Sequence, residues 1–72
     1  MNSFSKRLRE LRQFRAETQK NVVKNIEISE RNYIDLENGK FLPTCVTLIK
    51  LCEYFDVSAD YLLGLSDVKE RR

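Results

Sequence analysis

The apolar residues of the first segment recur at intervals of four and three, the spacing of one face of an α-helix. The residues at this spacing are Phe4, Leu8, Leu11 and Phe14. The pattern predicts a first helix over about residues 5–16, with Ser3 or Ser5 supplying the oxygen that caps its free N–H groups. Arginines and lysines occupy the other faces of this helix.

Four further helices are predicted behind it, each starting at a serine or threonine. Their expected ranges are 18 to 25 or 26, 29–38, 44–55 and 58–63. Thr18 and Ser29 are candidate caps for the second and third helices, and Asn38-Gly39 and Gly64 are typical endings of the third and fifth. No segment alternates as a strand does, so the sequence predicts an all-α fold, a compact bundle of five short helices.

Apolar residues of the later helices supply the rest of the predicted core. Tyr33 and Leu36 continue an apolar stripe on the third helix and are expected to point inward. The fourth helix has a broad apolar face, formed by Val46, Leu48, Ile49, Leu51, Cys52 and Phe55. Together with Val57, Tyr61 and Leu62, residues of this face are expected to close the core over the first and third helices.

The length of 72 residues leaves room for one domain only, with 42% hydrophobic and 33% charged residues. We expect residues 1–66 to form the domain and residues 67–72 to be a charged tail or the start of a linker. No apolar run reaches the roughly 18 residues of a membrane span, and no secretory signal precedes the domain, so we expect a cytoplasmic protein without a membrane partner.

Cysteine and histidine usage argues against a metal site. Cys45 and Cys52 are seven residues apart on one predicted helix, about 10 Å along its axis, which is too far for a disulfide. We therefore expect both to be reduced core residues. The chain has no histidine, and structural zinc sites need four nitrogen or sulfur ligands, so no metal and no other cofactor is predicted.

Charge is distributed unevenly along the chain. Residues 1–24 carry a net charge of +5, residues 25–68 carry −5 and residues 69–72 carry +2. A basic N-terminal third is suited to facing a polyanion, and an ordinary solvated helix surface explains it equally well. An enzyme has almost no support, because the chain lacks histidine, a nucleophile-base set and a glycine-rich phosphate loop.

Several stretches stand in a characteristic order along the chain. They are Phe4-Ser-Lys-Arg-Leu-Arg-Glu-Leu-Arg12, Thr18-Gln19, Ile28-Ser29, Leu36-Glu-Asn-Gly-Lys40, Pro43, Thr47-Leu-Ile-Lys-Leu51 and Phe55-Asp-Val-Ser-Ala-Asp-Tyr-Leu-Leu-Gly64. Together they resemble the Cro/C1-type (XRE) DNA-binding domain, over residues 4–66. The resemblance implies a lambda-repressor-like bundle whose second and third helices form a helix-turn-helix, and a sequence-specific transcriptional regulator that binds double-stranded DNA.

Within this resemblance the third helix is the recognition helix, which lies in the major groove. The residues expected to read bases are Glu30, Arg31, Asn32 and Asp35. Arg31 is the strongest candidate, because a guanidinium binds guanine O6 and N7 together. A solvated helix face remains the alternative for Glu30 and Asp35, whose carboxylates are repelled by phosphates.

Other residues are expected to hold the DNA backbone or the scaffold. The resemblance implies phosphate contacts at Thr18, Gln19, Ser29, Asn38 and Lys40. A helix N-terminus attracts an anion at Gln19, and Lys40 adds positive charge. Arg12 and Glu37 match the family positions that form an ion pair between the first helix and the end of the recognition helix.

The resemblance also implies a repressor that binds a pseudo-palindromic operator as a homodimer. Leu63 and Leu65 form an apolar end and are the expected dimer contact, with Leu65 folding back onto its own core as the alternative. No small-molecule ligand is expected in this domain. A protein-interaction module of the same fold, of antitoxin or anti-repressor type, is the competing function, because acidic residues lie in or beside the recognition helix.

Three positions depart from the family pattern. Glu27 stands in the turn where the family usually has glycine, so either this residue is left-handed or the turn differs. Val23 replaces the usual alanine of the second helix, and Glu17 stands where an apolar residue is common.

Overall fold

Side-chain hydroxyl groups cap four of the five helices in the computed structural model, which describes residues 3–71. The hydroxyl oxygens of Thr18, Ser29, Thr44 and Ser58 each accept a hydrogen bond from the backbone N–H three residues later. The helices are α1 (Ser3–Phe14), α2 (Gln19–Ile26), α3 (Glu30–Glu37), α4 (Cys45–Phe55) and α5 (Ala59–Leu62). No strand occurs among the described residues, and the predicted all-α bundle of five short helices is confirmed.

The first helix is shifted by two residues from its predicted position. α1 covers Ser3–Phe14 and not residues 5–16. Ser3 and Ser5 both lie inside the helix, and Ser5 is fully buried, so the prediction that one of them caps it is wrong. The helix ends because Ala16 has a φ of 54° and turns the chain in the left-handed sense. Alanine favours helices, so nothing in the sequence indicates this stop.

Every helix contributes to one core. Its fully or nearly buried apolar side chains are Phe4, Leu8, Leu11, Val22, Ile26, Tyr33, Leu36, Leu51, Cys52, Phe55, Val57 and Leu62. Leu48 and Tyr61 are partly buried against this set. Gly64 has a φ of 83°, and a Cβ atom there would lie 2.7 Å from Cβ of Ser3. The chain after α5 therefore approaches the first turn of α1 more closely than any side chain would permit.

Two helices bury narrower faces than their apolar residues predict. Phe14 is 86% exposed. At 100° per residue it lies about 80° around the helix axis from Phe4, outside the buried stripe. On α4, Val46 and Ile49 are exposed while Leu51 and Phe55 are buried, so the broad apolar face of this helix extends well beyond the core.

The two cysteines have different surroundings. Cys52 lies in the core, and burial raises the pKa of its thiol. Cys45 is exposed at the first residue of α4, so the prediction of a core position is wrong for this residue. Both are free thiols.

The turn between α2 and α3 accommodates a glutamate in a left-handed conformation. Glu27 has φ 59° and ψ 49°, and its N–H donates to the carbonyl oxygen of Val23 at 2.9 Å. Of the two alternatives left open by the sequence, the left-handed residue is the one observed. Val23 and Ile28 pack partly buried against the core on either side of it. The turn keeps its helix-turn-helix path and carries the strain of a non-glycine residue, typically about 1 to 2 kcal/mol.

Glu17 is stabilised by a polar network in place of the usual apolar contact. One carboxylate oxygen accepts hydrogen bonds from Asn21 and from the hydroxyl of Tyr54, and the other lies 3.1 Å from Nε of Arg15. The Arg15 guanidinium lies over the Tyr54 ring, 4.8 Å from its centroid. The hydrogen bond to Glu17 raises the pKa of Tyr54. This network attaches the segment between α1 and α2 to α4.

The segment that follows α5 lies against the domain. Arg7 donates to the carbonyl oxygens of Tyr61 and Ser66 at 2.5 and 2.6 Å and to Oδ1 of Asp67 at 2.7 Å. Its guanidinium also lies 4.3 Å from the centroid of the Tyr61 ring. The N–H of Ser58 donates to the carbonyl oxygen of Lys69 at 2.8 Å. Residues 67–69, assigned by the sequence to a charged tail, are thus hydrogen-bonded to α1 and to the cap of α5.

Candidate nucleic-acid interface

Helix α3 is buried along one side and open along the other. Tyr33 and Leu36 lie in the core, whereas Glu30 and Arg31 in the first turn are exposed. The other two predicted base-reading residues, Asn32 and Asp35, are half-buried and therefore less accessible. The first turn of α3 is therefore the part of this helix that is most accessible to a large partner.

Arg31 and Asp35 form an ion pair one helical turn apart. Nε of Arg31 donates to Oδ2 of Asp35 at 3.3 Å. The Arg31 side chain is 79% exposed and that of Asp35 is 16% exposed. The Asp35 carboxylate thus binds Nε of Arg31. The two terminal nitrogens of the Arg31 guanidinium have no hydrogen-bond acceptor among residues 3–71.

A buried carboxylate marks the other end of α3. Nε of Arg12 donates to Oε2 of Glu37 at 2.7 Å, and Nη2 of Arg12 donates to Oε1 at 3.0 Å. This is the pair that the resemblance implies between the first helix and the recognition helix. The Glu37 side chain is fully buried and that of Arg12 is 16% exposed, so the pair is largely shielded from water.

The surroundings of Glu37 determine its ionisation. Burial raises the pKa of Glu37, but hydrogen bonds, first of all from Arg12, outweigh burial and hold this pKa below its usual value. The same hydrogen bond raises the pKa of Arg12. Burial, and then the neighbouring Glu37, raise the pKa of Tyr33, whose enclosed hydroxyl makes no hydrogen bond of regular geometry. The end of α3 therefore contains a fixed negative charge at neutral pH.

Gln19, a predicted phosphate-binding residue, lies at the same carboxylate. It is the first residue of α2, and its Nε2 donates to Oε1 of Glu37 at 3.2 Å. The predicted phosphate residues Thr18 and Ser29 are exposed, and their oxygens cap α2 and α3. The start of α2 and the end of α3 are thus connected through one side chain.

The chain leaves α3 through a tight left-handed turn that exposes two further predicted phosphate-binding residues. Gly39 has a φ of 77°, and its N–H donates to the carbonyl oxygen of Leu36 at 3.2 Å. The N–H of Lys40 donates to the carbonyl oxygen of Asp35 at 3.0 Å, which completes the turn. Asn38 and Lys40 are both exposed beside it.

Arg9 reaches this turn from α1, and the sequence did not single it out. Its Nη2 donates to the carbonyl oxygen of Glu37 at 3.2 Å and to Oδ1 of Asn38 at 3.3 Å. Its Nε lies 3.9 Å from Oε1 of Glu37. The sequence feature that could have identified Arg9 is its spacing from Arg12. The two are three residues apart and so share a face of α1.

In the basic N-terminal third, the arginines make contacts within the domain, whereas the lysines are exposed. The arginines of α1 and the following turn are bound within the domain, Arg7 to the C-terminal segment, Arg9 and Arg12 to the end of α3, and Arg15 to Glu17 and α4. The lysines of this region, Lys6, Lys20 and Lys24, are exposed.

The two predicted dimer residues differ in accessibility. Leu63 is partly buried against the core of its own chain. Leu65 is 76% exposed, so it does not fold back onto that core. Other exposed apolar side chains are Phe14, Phe41, Leu42, Val46, Ile49 and Val68.

The part of the chain that the structure describes lacks two kinds of feature. No helix within residues 3–71 is both long and apolar enough to cross a membrane. Within the same residues, no three acidic or cysteine side chains come together as ligands of a metal ion.

Known proteins match most of the chain. A family description reading "Helix-turn-helix domain" matches residues 5–68. The HTH-type transcriptional regulator ImmR of Bacillus subtilis (strain 168) is 38% identical over 69 residues, which are 96% of this chain and 54% of that protein. "Uncharacterized HTH-type transcriptional regulator YobD" of the same organism is 34% identical over 64 residues, 89% of this chain and 57% of that protein.

This chain spans little more than half the length of these two relatives. No solved structure matches it significantly.

Proposed function

Since this chain belongs to the helix-turn-helix family of transcriptional regulators, we propose that it is a sequence-specific repressor that binds double-stranded DNA through α3. The observation that carries the proposal is the geometry of α3. Its first turn is exposed, while a buried ion pair fixes its last turn against α1. A helix held in this way presents its N-terminal side chains to a major groove.

Base reading is assigned to the exposed side of α3. Arg31 carries most of it, because its terminal nitrogens can bind guanine O6 and N7 together. Glu30 and Asn32 contribute to neighbouring base pairs. Asp35 belongs to the same set and acts chiefly through Arg31, to which its half-buried carboxylate is bonded.

Phosphate binding is assigned to three places around α3. Thr18 and Gln19 at the N-terminus of α2 form the first, and Ser29 at the start of α3 forms the second. Asn38 and Lys40, in the turn that follows α3, form the third. Backbone contacts of this kind fix the position of the protein on DNA and carry no sequence information themselves.

We further propose that the protein acts in the cytoplasm as a homodimer on a pseudo-palindromic operator. Leu65 is the better of the two predicted dimer contacts, because it is exposed whereas Leu63 packs on its own core. A dimer places its two recognition helices in half-sites about one helical turn apart.

Selection and sequencing of bound duplexes from a random pool tests the proposal. The purified protein is used at low salt and high concentration. A two-fold symmetric motif with fixed spacing is the expected result. Enrichment of a single half-site would support base reading and contradict dimerisation by this chain.

Retention on heparin at low salt discriminates the competing function. A DNA-binding domain is retained and elutes as salt rises, because its phosphate contacts release counterions. A protein that is not retained on heparin and that enriches no duplex would contradict the proposal and favour the protein-interaction module.

A further inference from the structure

Two side chains from different helices meet where α3 ends. Arg9 lies on α1, and its Nη2 donates to both the carbonyl oxygen of Glu37 and Oδ1 of Asn38, at 3.2 and 3.3 Å. Nη2 carries two hydrogens, so the two bonds use its full donor capacity. The Arg9 side chain is thus attached to the backbone of α3 and to the Asn38 side chain at the same time.

The chemistry of the two groups fixes the orientation of the Asn38 amide. A guanidinium has donors and no acceptor, so only the oxygen of the asparagine amide can face Arg9. The Nδ2 group then points away from Arg9, and within residues 3–71 it donates to no acceptor. Asn38 is exposed, so this donor pair is presented to solvent beside Gly39 and Lys40.

Arg9 is itself held in place by the buried charge. Its Nε lies 3.9 Å from Oε1 of Glu37, the oxygen that accepts from Nε2 of Gln19 at 3.2 Å. The same carboxylate is fixed by Arg12. Gln19 and Asn38, predicted to hold phosphates, are therefore connected by contacts through Glu37 and Arg9, without a hydrogen bond to each other among the described residues.

We propose that Arg9 is a positioning residue for DNA binding, which turns the Asn38 amide so that Nδ2 donates to a backbone phosphate. The inference rests on the proposed function. An exposed asparagine otherwise samples both amide orientations and must be ordered when DNA binds. Ordering one side chain costs about 0.5 to 1.5 kcal/mol, equivalent to a twofold to tenfold loss of affinity.

A double-mutant cycle on a selected DNA duplex tests the inference. The variants are Arg9→Gln, Asn38→Ala and the combination of the two, with Lys6→Gln as the matched control. Lys6 is an exposed residue of the same helix, and its substitution removes the same charge. We expect Arg9→Gln to weaken binding about twofold to tenfold relative to Lys6→Gln. Adding it to Asn38→Ala should cause no further loss.

The dependence of affinity on salt separates positioning from direct contact. A side chain that contacts a phosphate through its charge lowers the salt slope by about one when removed. We expect Arg9→Gln to have the slope of Lys6→Gln. A slope lower by about one, or losses that multiply in the double variant, would overturn the inference.

A third variant and a measurement without DNA keep the test independent of folding. Arg9→Lys retains the charge and lacks the planar guanidinium fork, so it should lose coupling to Asn38 while the domain stays folded. In NMR spectra of the free protein, the Asn38 side-chain amide should be ordered in the natural protein and motionally averaged in this variant. An amide equally ordered in both would overturn the inference.

The proposed function and this inference fail in different ways. A natural protein that binds no duplex overturns both. A natural protein that selects a duplex, with Arg9→Gln indistinguishable from Lys6→Gln, overturns only the role of Arg9.

Discussion

The two ends of α3 are built in opposite ways. At its start, Glu30 and Arg31 are exposed, and among residues 3–71 Arg31 forms an ion pair only with Asp35 of the same helix. At its end, Glu37 is fully buried and accepts hydrogen bonds from α1 and α2. One end is open to a partner, and the other is fixed to the domain.

This difference teaches how a small domain separates two tasks. The fixed end sets the position of the helix, so its side chains are constrained by packing. In the proposed function the open end meets the DNA. Its side chains are exposed and contact few other parts of the domain, so their substitution should change recognition with little effect on folding. The same kind of substitution at the two ends should therefore have different consequences.

The largest effect is expected from Arg12→Gln. It leaves the buried Glu37 carboxylate without its bidentate partner, and breaking such a pair typically costs about 3 to 5 kcal/mol. Urea denaturation followed by circular dichroism measures the free energy of unfolding. Arg31→Gln is the matched control at the open end, with an expected change below about 0.5 kcal/mol. Equal losses for both would contradict the contrast between the two ends.

Acid should weaken the same pair. The pKa of Glu37 in the folded protein lies below the ordinary value of 4.5, so the unfolded chain takes up the proton first as pH falls. The stability contributed by Glu37 is fully present above about pH 4.5 and is lost as pH falls through the folded pKa. Unfolding measured from pH 7 to pH 3 should show this loss in the natural protein.

Two variants isolate that contribution. Glu37→Gln should lack the part of the acid-induced loss that comes from this carboxylate. Glu53→Gln, which removes an exposed carboxylate of α4, should keep it. The same pH profile in both variants would show that Glu37 does not carry the effect.

Arg31→Ala should change recognition at the open end. Loss of a bidentate contact with guanine costs about 1 to 3 kcal/mol at the base pair concerned and relaxes specificity there. Competition between duplexes with single base changes measures this. An equal loss of affinity for every duplex would contradict base reading by Arg31.

Lys40→Ala should have the smallest effect, at most about 1 kcal/mol for an exposed charge pair, and should weaken binding to all duplexes alike. Lys40 is exposed beyond α3, and the proposed function assigns its charge to a phosphate and not to a base. The salt slope should fall by about one. A loss confined to particular sequences would be evidence for a base contact instead.

Local sequence signals were sufficient for most of the fold. Hydroxyl residues at Thr18 and Ser29 cap their helices as predicted, because capping depends on a few neighbouring atoms. The resemblance to Cro/C1-type domains is confirmed at the level of the helix-turn-helix family. The left-handed Ala16 was missed, since alanine carries no local signal for that conformation.

The site was less predictable, because its geometry depends on contacts between distant residues. The sequence suggested that Gln19 and Asn38 serve phosphates, but not that Glu37 and Arg9 connect them. Exposure of Phe14 and Ile49 likewise depends on which neighbours cover each helix. Periodicity identifies apolar residues, and only packing decides which of them are buried.

Arg7 joins residues that lie 54, 59 and 60 positions further along the chain. Contacts between such distant residues close large loops at a high entropic cost, so we expect them to form after the local helices during folding. We expect them to be absent from the folding transition state, so they should slow unfolding and leave the folding rate nearly unchanged. In kinetic terms, we expect a single arginine near the start of the chain to lengthen the lifetime of the folded domain.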